Sequence, residues 1–249
     1  VLLTLRALLR ERGVYDQTTQ PRLDQLVDFV ALGTVADVVR LDKNNRILVA
    51  QGLKRIRQGR THPGILALFS VARRDAKEAS VADFGFAVGP RINAAGRLAS
   101  METGIECLLA DDPERAHYLA DCLNNTNQER RTLEAEMQET ALAAIAGTDL
   151  EQTPALAIYD EGFNEGVVGL VAARIREKTN RPVVAFAPSE SGNLKGSGRS
   201  IPGVHLRDAI DLVAKRLPDA VLKFGGHAMA AGLTLRPERL ADFRAAFEE

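Results

Sequence analysis

Cysteine is nearly missing from this chain. Cys107 and Cys122 are the only two in 249 residues, with no neighbouring His or Cys at metal-ligand spacing. That excludes a disulfide scaffold, and the pair reads as small buried hydrophobes in a reducing compartment. An excess of charge is missing too: 32 Lys and Arg against 33 Asp and Glu leave a formal net charge of -1. A protein that coats nucleic acid indiscriminately is strongly basic, so any nucleic-acid site here has to be a local patch. No apolar run approaches the roughly 20 residues of a membrane span, and no basic stretch, apolar core and cleavage site mark a secretory leader. The first residues, Val-Leu-Leu-Thr, lack Met and run straight into a helical pattern, so a cytoplasmic piece of a longer protein, with no membrane contact, is expected.

What is present is ordinary in amount and uneven in arrangement. A hydrophobic content of 45% and a charged content of 26% are those of a soluble globular protein, and the length suits one large domain or two ordinary ones. No strand pattern occurs before Pro154. Apolar residues instead recur at helical spacing over 22–32, 45–56, 64–71, 81–88 and 103–109. From Asp112, an N-cap type followed by Pro113, nothing breaks the helical pattern until Gly147. Its stripe runs through Leu119, Leu123, Thr126, Arg130, Leu133 and Met137, polar in the middle. A helix about 50 Å long with such a stripe fits a connector between domains. Beyond Gly147 the character changes. Apolar runs at 154–159 and 182–187 flank a helix at 167–178, a βαβ unit, and further strands at 194–200 and 232–235 accompany a helix at 206–216. The expected architecture is α/β, with a helical first part (1–111), a connecting helix (112–147) and a small α/β domain with a mixed sheet (148–249).

Several stretches combine glycine with polar side chains. In Leu-Lys-Gly-Ser-Gly-Arg-Ser (194–200), a strand would aim Lys195, Ser197 and Arg199 to one face, as a phosphodiester cradle or as a solvated edge strand. Gly-Val-Val-Gly (166–169) opens a helix, where exposed amides suit an anion and glycine equally suits tight packing. Phe-Gly-Gly-His-Ala-Met-Ala-Ala-Gly (224–232) places His227 after two glycines, followed by small residues that suit a tight turn or a helix. In Gly-Pro-Arg-Ile-Asn-Ala-Ala-Gly-Arg-Leu (89–98), Pro90 stands as a helix starter and Asn93 and Arg97 lie on one face. In Ala-Leu-Gly-Thr-Val-Ala-Asp-Val-Val (31–39), Asp37 sits among apolar neighbours, to be satisfied by a metal, an Arg or a helix-cap position.

Together with Asn-Arg-Ile-Leu-Val (45–49), these stretches resemble the DHH phosphoesterase family in order and spacing, in particular its bacterial exonucleases that degrade single-stranded DNA from the 5′ end. The resemblance spans essentially the whole chain. It implies the back part of a DHH domain, a connecting helix and a DHH-associated domain, working as a metal-dependent exodeoxyribonuclease of DNA repair and recombination. By the family's pattern Asp37 is a ligand of a two-metal centre holding Mn2+ or Mg2+. Arg91, Asn93 and Arg97 line the scissile phosphate. Lys195, Ser197, Arg199, Ser200, Gly225, Gly226 and His227 hold the DNA. Single-stranded DNA is the implied partner, with single-stranded-DNA-binding protein and a recombination helicase as further implied partners. The family's Asp-x-Asp, further Asp and Asp-His-His motifs have no counterpart in the sequence, where Asp111-Asp112 is followed by Pro. Arg40 stands where Pro commonly follows Val-Val, and Asn164-Glu165 replaces a usual Trp-His pair. The chain by itself is therefore expected to bind without cutting. Two other readings share these motifs: a phosphodiesterase for short oligonucleotides or cyclic dinucleotides, and a non-catalytic nucleic-acid-binding relative.

Overall fold

The computed structural model describes residues 2–249, which divide into two compact units, one running to Gln128 and the other from Glu129 to Glu249. The first is helical: α1 (Leu2–Glu11), α2 (Val27–Ala36), α3 (Lys43–Arg57), α4 (Pro63–Val71), α5 (Val81–Asp83), α6 (Gly89–Leu98), α7 (Met101–Leu109) and the front of α8 (Pro113–Ile145). Local chemistry places these ends. The Asp42 carboxylate accepts the Asn45 N–H at 2.9 Å to start α3, whose last turn carries Lys54, Arg55 and Arg57. Ser80 and Asp83 form a capping box at α5. Helices α2 and α3 come together because Gly52 has no Cβ; one placed there would lie 2.4 Å from the Ala31 Cβ. Ala31, Leu32, Leu53, Ile65, Leu68 and Phe84 are buried in the resulting core.

Pro90 stands in the first turn of α6, as the sequence predicts, but that helix does not begin from a loop. The backbone is already helical from Val81, passes through a π-helical turn at Phe84–Val88, and continues into α6 with Val88 in the right-handed region. A proline lacks the N–H that an α-helix needs at that point, and the wider turn absorbs the mismatch. Gly89 beside it is required by space, since a Cβ would stand 2.7 Å from the Phe84 carbonyl oxygen.

The second unit holds the rest of α8 and a mixed sheet. Its strands are β1 (Leu156–Tyr159), β2 (Val183–Pro188), β3 (Leu194–Arg199), β4 (Val221–Gly226) and β5 (Ala230–Leu235), in the order β1-β2-β3-β5-β4. The first two are parallel and joined through α9 (Val168–Thr179), and the other pairings are antiparallel. The α/β architecture expected from the sequence is thus present. Two elements were not foreseen, β4 and the helix α11 (Leu240–Phe247). One face of the sheet packs Val184, Phe186 and Leu233 against α10 (Leu206–Arg216) and α11, whose Leu206, Ile210, Phe243 and Phe247 close that core. The outer edge of β1 is covered by side chains: Glu248 Oε1 accepts the Ala157 N–H at 3.2 Å, and Arg244 Nε donates to the Ala157 carbonyl at 2.9 Å. Among the described residues no helix is long and apolar enough to cross a membrane.

Candidate nucleic-acid interface

Strand β3 separates its two faces by alternation. Leu194, Gly196 and Gly198 are buried, whereas Lys195, Ser197 and Arg199 retain exposure. Both inward glycines are demanded by packing. A Cβ at Gly196 would lie 2.6 Å from the Phe186 ring, and one at Gly198 would lie 2.7 Å from Leu206. On the outward face Arg199 Nη1 donates to Ser197 Oγ at 3.2 Å, and Lys195 Nζ donates to Thr234 Oγ1 at 3.1 Å. The strand is interior to the sheet, between β2 and β5, so the solvated-edge reading is set aside.

Glycines of two motifs meet Ser197 and Arg199 on this face. Pairing aligns Ser197 with Gly232 and Gly232 with Gly225. A Cβ at Gly225 would meet nothing within 4 Å, so the fold itself does not ask for glycine there. The result is a bare floor beside Ser197. Gly169, near the start of α9, comes so close that a Cβ would sit 2.9 Å from Ser197 Oγ and 3.0 Å from Arg199 Nη2. The Gly-Val-Val-Gly stretch therefore serves close packing of a helix end against the Ser197–Arg199 pair. Gly226 is different again: its φ of +146° and a would-be Cβ 2.4 Å from the Ala230 oxygen make it obligatory. It lets the chain turn back after β4, carrying an exposed His227 whose N–H donates to the Ala230 oxygen at 2.8 Å. The strand expected at 232–235 is β5, which begins two residues earlier at Ala230, inside the run expected as a tight turn or helix.

Ser200 has a role other than the expected DNA contact. Its side chain is buried, its hydroxyl donates to the Val204 oxygen at 2.7 Å, and its N–H donates to the Met229 oxygen at 3.0 Å. It stitches the His227 turn to the following loop. Conversely, Lys223 and Thr234 belong to the face although no sequence motif marks them: β4 shows no strand pattern, and Thr234 lies on the expected strand at 232–235 just beyond the Gly-Gly-His stretch. A cleft of about 360 Å³ is lined by Lys195, Lys223, Thr234 and the backbone around Gly225 and Gly232.

The helical unit splits its predicted residues. Asp37 is exposed at the C-cap of α2, with its N–H on the Gly33 oxygen at 3.1 Å and the left-handed Val38 (φ 54°) after it. Asp37 and Asn93 share an otherwise apolar cleft of about 430 Å³, with Phe29, Leu32, Ile92 and Leu108 among its walls. Arg97 is exposed in the last turn of α6. Arg91 lies in another, polar cleft with His117, Asn124 and Gln128, where it donates to Asn124 Oδ1 at 3.0 Å and to the Ala87 carbonyl at 2.7 Å.

The carboxylate that is buried in this region is Asp28, not Asp37. Thr61 Oγ1 donates to Asp28 Oδ2 at 2.6 Å, the His62 N–H does so at 3.2 Å, and His62 Nδ1 lies 2.9 Å away. Burial pushes the Asp28 carboxyl up, but the hydrogen bonds from Thr61 and His62 outweigh it and hold the group below the usual carboxylate range. Its place in the stripe Asp28, Ala31, Leu32, at i, i+3, i+4 spacing, was the available signal.

Comparison with known proteins decides the family likeness. Residues 152–249 match the DHHA1 domain. Over its whole length the chain is 50% identical to the single-stranded-DNA-specific exonuclease RecJ of Dickeya dadantii and 48% identical to that of Escherichia coli K12, covering 44% of each. The crystal structure of RecJ from Thermus thermophilus in complex with Mg2+ superposes on 99% of the chain, 36% of that protein, with a TM-score of 0.82 at 33% identity. The similarity to RecJ runs along the whole chain. It spans less than half the length of the curated relatives it matches.

RecJ of T. thermophilus has been solved with Mg2+ and with Mn2+. In this RecJ-like chain, no three His, Cys, Asp or Glu side chains converge among the described residues. Asp37 has an amide, Asn93, and apolar walls for company. A divalent ion draws its affinity from several converging oxygens or nitrogens, so these residues alone do not fit one.

Proposed function

We propose that this RecJ-like chain is the strand-holding part of a single-stranded-DNA-specific 5′→3′ exonuclease acting in DNA repair and recombination. The observation that carries the reading is the sheet face itself, where Gly225 and Gly232 leave a bare floor that the fold does not require, flanked by Lys195, Ser197 and Arg199. A guanidinium forks onto phosphate oxygens, an ammonium adds a point charge, and neither reads a base, which gives sequence-independent grip on a backbone. His227 on its turn adds a donor. In the helical unit Asp37 is proposed as one carboxylate of the metal centre, with Asn93 and Arg97 towards the scissile phosphate. Arg91, tied to Asn124, acts by positioning. Because Asp37 is one acid where a metal pair needs several, no hydrolytic step is assigned to these residues. The expected result is salt-sensitive binding of 5′-phosphorylated single strands by the 249-residue chain, followed by anisotropy, without mononucleotide release in manganese. Absence of single-strand binding at low salt would remove the reading. Robust release would mean that the acids of the metal site lie among other residues of the chain.

A further inference from the structure

We propose that Lys195, Lys223 and Thr234 form a second phosphate seat on this sheet face, so that the groove holds two different phosphates of one strand. The inference rests on the nucleic-acid reading above and adds the register of the bound backbone. Strand pairing sets Lys195 opposite Thr234 and Thr234 opposite Lys223, three side chains in one row across β3, β5 and β4. The Lys195–Thr234 hydrogen bond at 3.1 Å confirms that they share a face. The cleft they line, about 360 Å³, has no acidic side chain. Among the described residues Lys223 has no ion pair or hydrogen bond from its ammonium group. Two ammonium groups without a carboxylate repel one another, and an anion bridging both relieves the repulsion while Thr234 adds a hydroxyl donor.

The row is distinct from the Ser197–Arg199 pair. Lys195 and Arg199 are four steps apart along β3, a span of about 13 Å at ~3.3 Å per residue, more than one phosphate group covers. Between the two lies the Ser197–Gly232–Gly225 row, which carries almost no side-chain bulk. That leaves room for sugar-phosphate backbone between two gripped phosphates. The absence of any atom within 4 Å of a Cβ at Gly225 supports a ligand, and not packing, as the reason for glycine.

The test uses the 249-residue chain, a fluorescent oligothymidylate and a salt titration. Lys223→Ala should weaken binding roughly three- to tenfold and lower the salt slope by about 0.7, one single-strand phosphate. Gly225→Val should leave the melting temperature unchanged or higher, a β-branched residue in open space on a strand, yet weaken binding at least roughly tenfold. Wild-type binding with an unchanged Lys223→Ala slope overturns the second seat and leaves the function reading standing, whereas a Gly225→Val chain that binds normally overturns both. If the wild type binds no single strand, the function reading falls, and titration with pyrophosphate judges the seat separately. Amide shifts at Lys223, Gly225 and Thr234 uphold it; shifts confined to Ser197 and Arg199 overturn it.

Discussion

The two clefts that carry the predicted residues are built on opposite principles. Around Asp37 and Asn93 the walls are Phe29, Leu32, Ile92, Ile105, Leu108 and Leu109, supplied by three helices and nearly all apolar. On the sheet, every polar contributor is fixed by strand pairing within one unit, and cations outnumber acids two to none. An apolar cleft with one carboxylate gives a lone charge little to work with. A paired set of strands delivers a charged surface at fixed spacing. The grip on the strand should therefore belong chiefly to the second unit.

The sharpest way to break this division is Asp28→Ala. It leaves the Thr61 hydroxyl and His62 N–H without their buried acceptor and should cost about 3 kcal/mol in the helical unit. Calorimetry should show one transition falling while single-strand affinity stays within about twofold of wild type; a parallel loss of affinity would show that the units are not independent.

A related test uses acid. The Asp28 carboxyl is held below its unfolded value of about 3.9, so its stabilisation is present above that pH and is lost as pH falls through the folded value. Asp28→Asn should flatten the melting temperature of the helical unit below about pH 4, and a wild-type-like acid slope in that variant would reassign the linkage.

Next in size is Arg199→Ala. It should weaken single-strand binding by about 1 kcal/mol and reduce the salt slope by about 0.7, with a stability change under about 0.5 kcal/mol because the side chain is only partly buried. An unchanged slope would remove Arg199 from the phosphate contacts.

The smallest effect belongs to Asp37→Ala. An exposed carboxylate with no hydrogen-bond partner among the described residues should shift stability by less than about 0.5 kcal/mol and leave binding unchanged. A large loss in either measurement would mean that Asp37 already does structural or binding work in the chain by itself.

Much of the sheet was legible beforehand. Strands β1 and β2 are continuous apolar runs, and β3 alternates glycine with polar residues, patterns that survive any tertiary context. Strand β4 was not legible. It lies at the sheet edge with most residues exposed, and a register shift between Val221 and Lys223 destroys its alternation. Missing β4 hid Lys223, and with it the row that gives Thr234 a second partner. Ser200 and Asp28 illustrate the other gap. A hydroxyl at the end of a motif reads as a ligand until its partner, the Val204 oxygen, is seen. A carboxylate inside an apolar stripe reads as surface until Thr61 and His62, more than thirty residues away in sequence, come to meet it.

The Arg244–Glu248 cover on β1 also bears on how the sheet meets other chains. Two side chains one helical turn apart occupy the amide and carbonyl that a visiting strand would need, and so act as a dummy neighbour. The sheet is left with a single growing end, at β4, where glycine and a lysine discourage stacking. Removing both side chains would turn a one-ended sheet into a two-ended one, with a second edge open to a visiting strand.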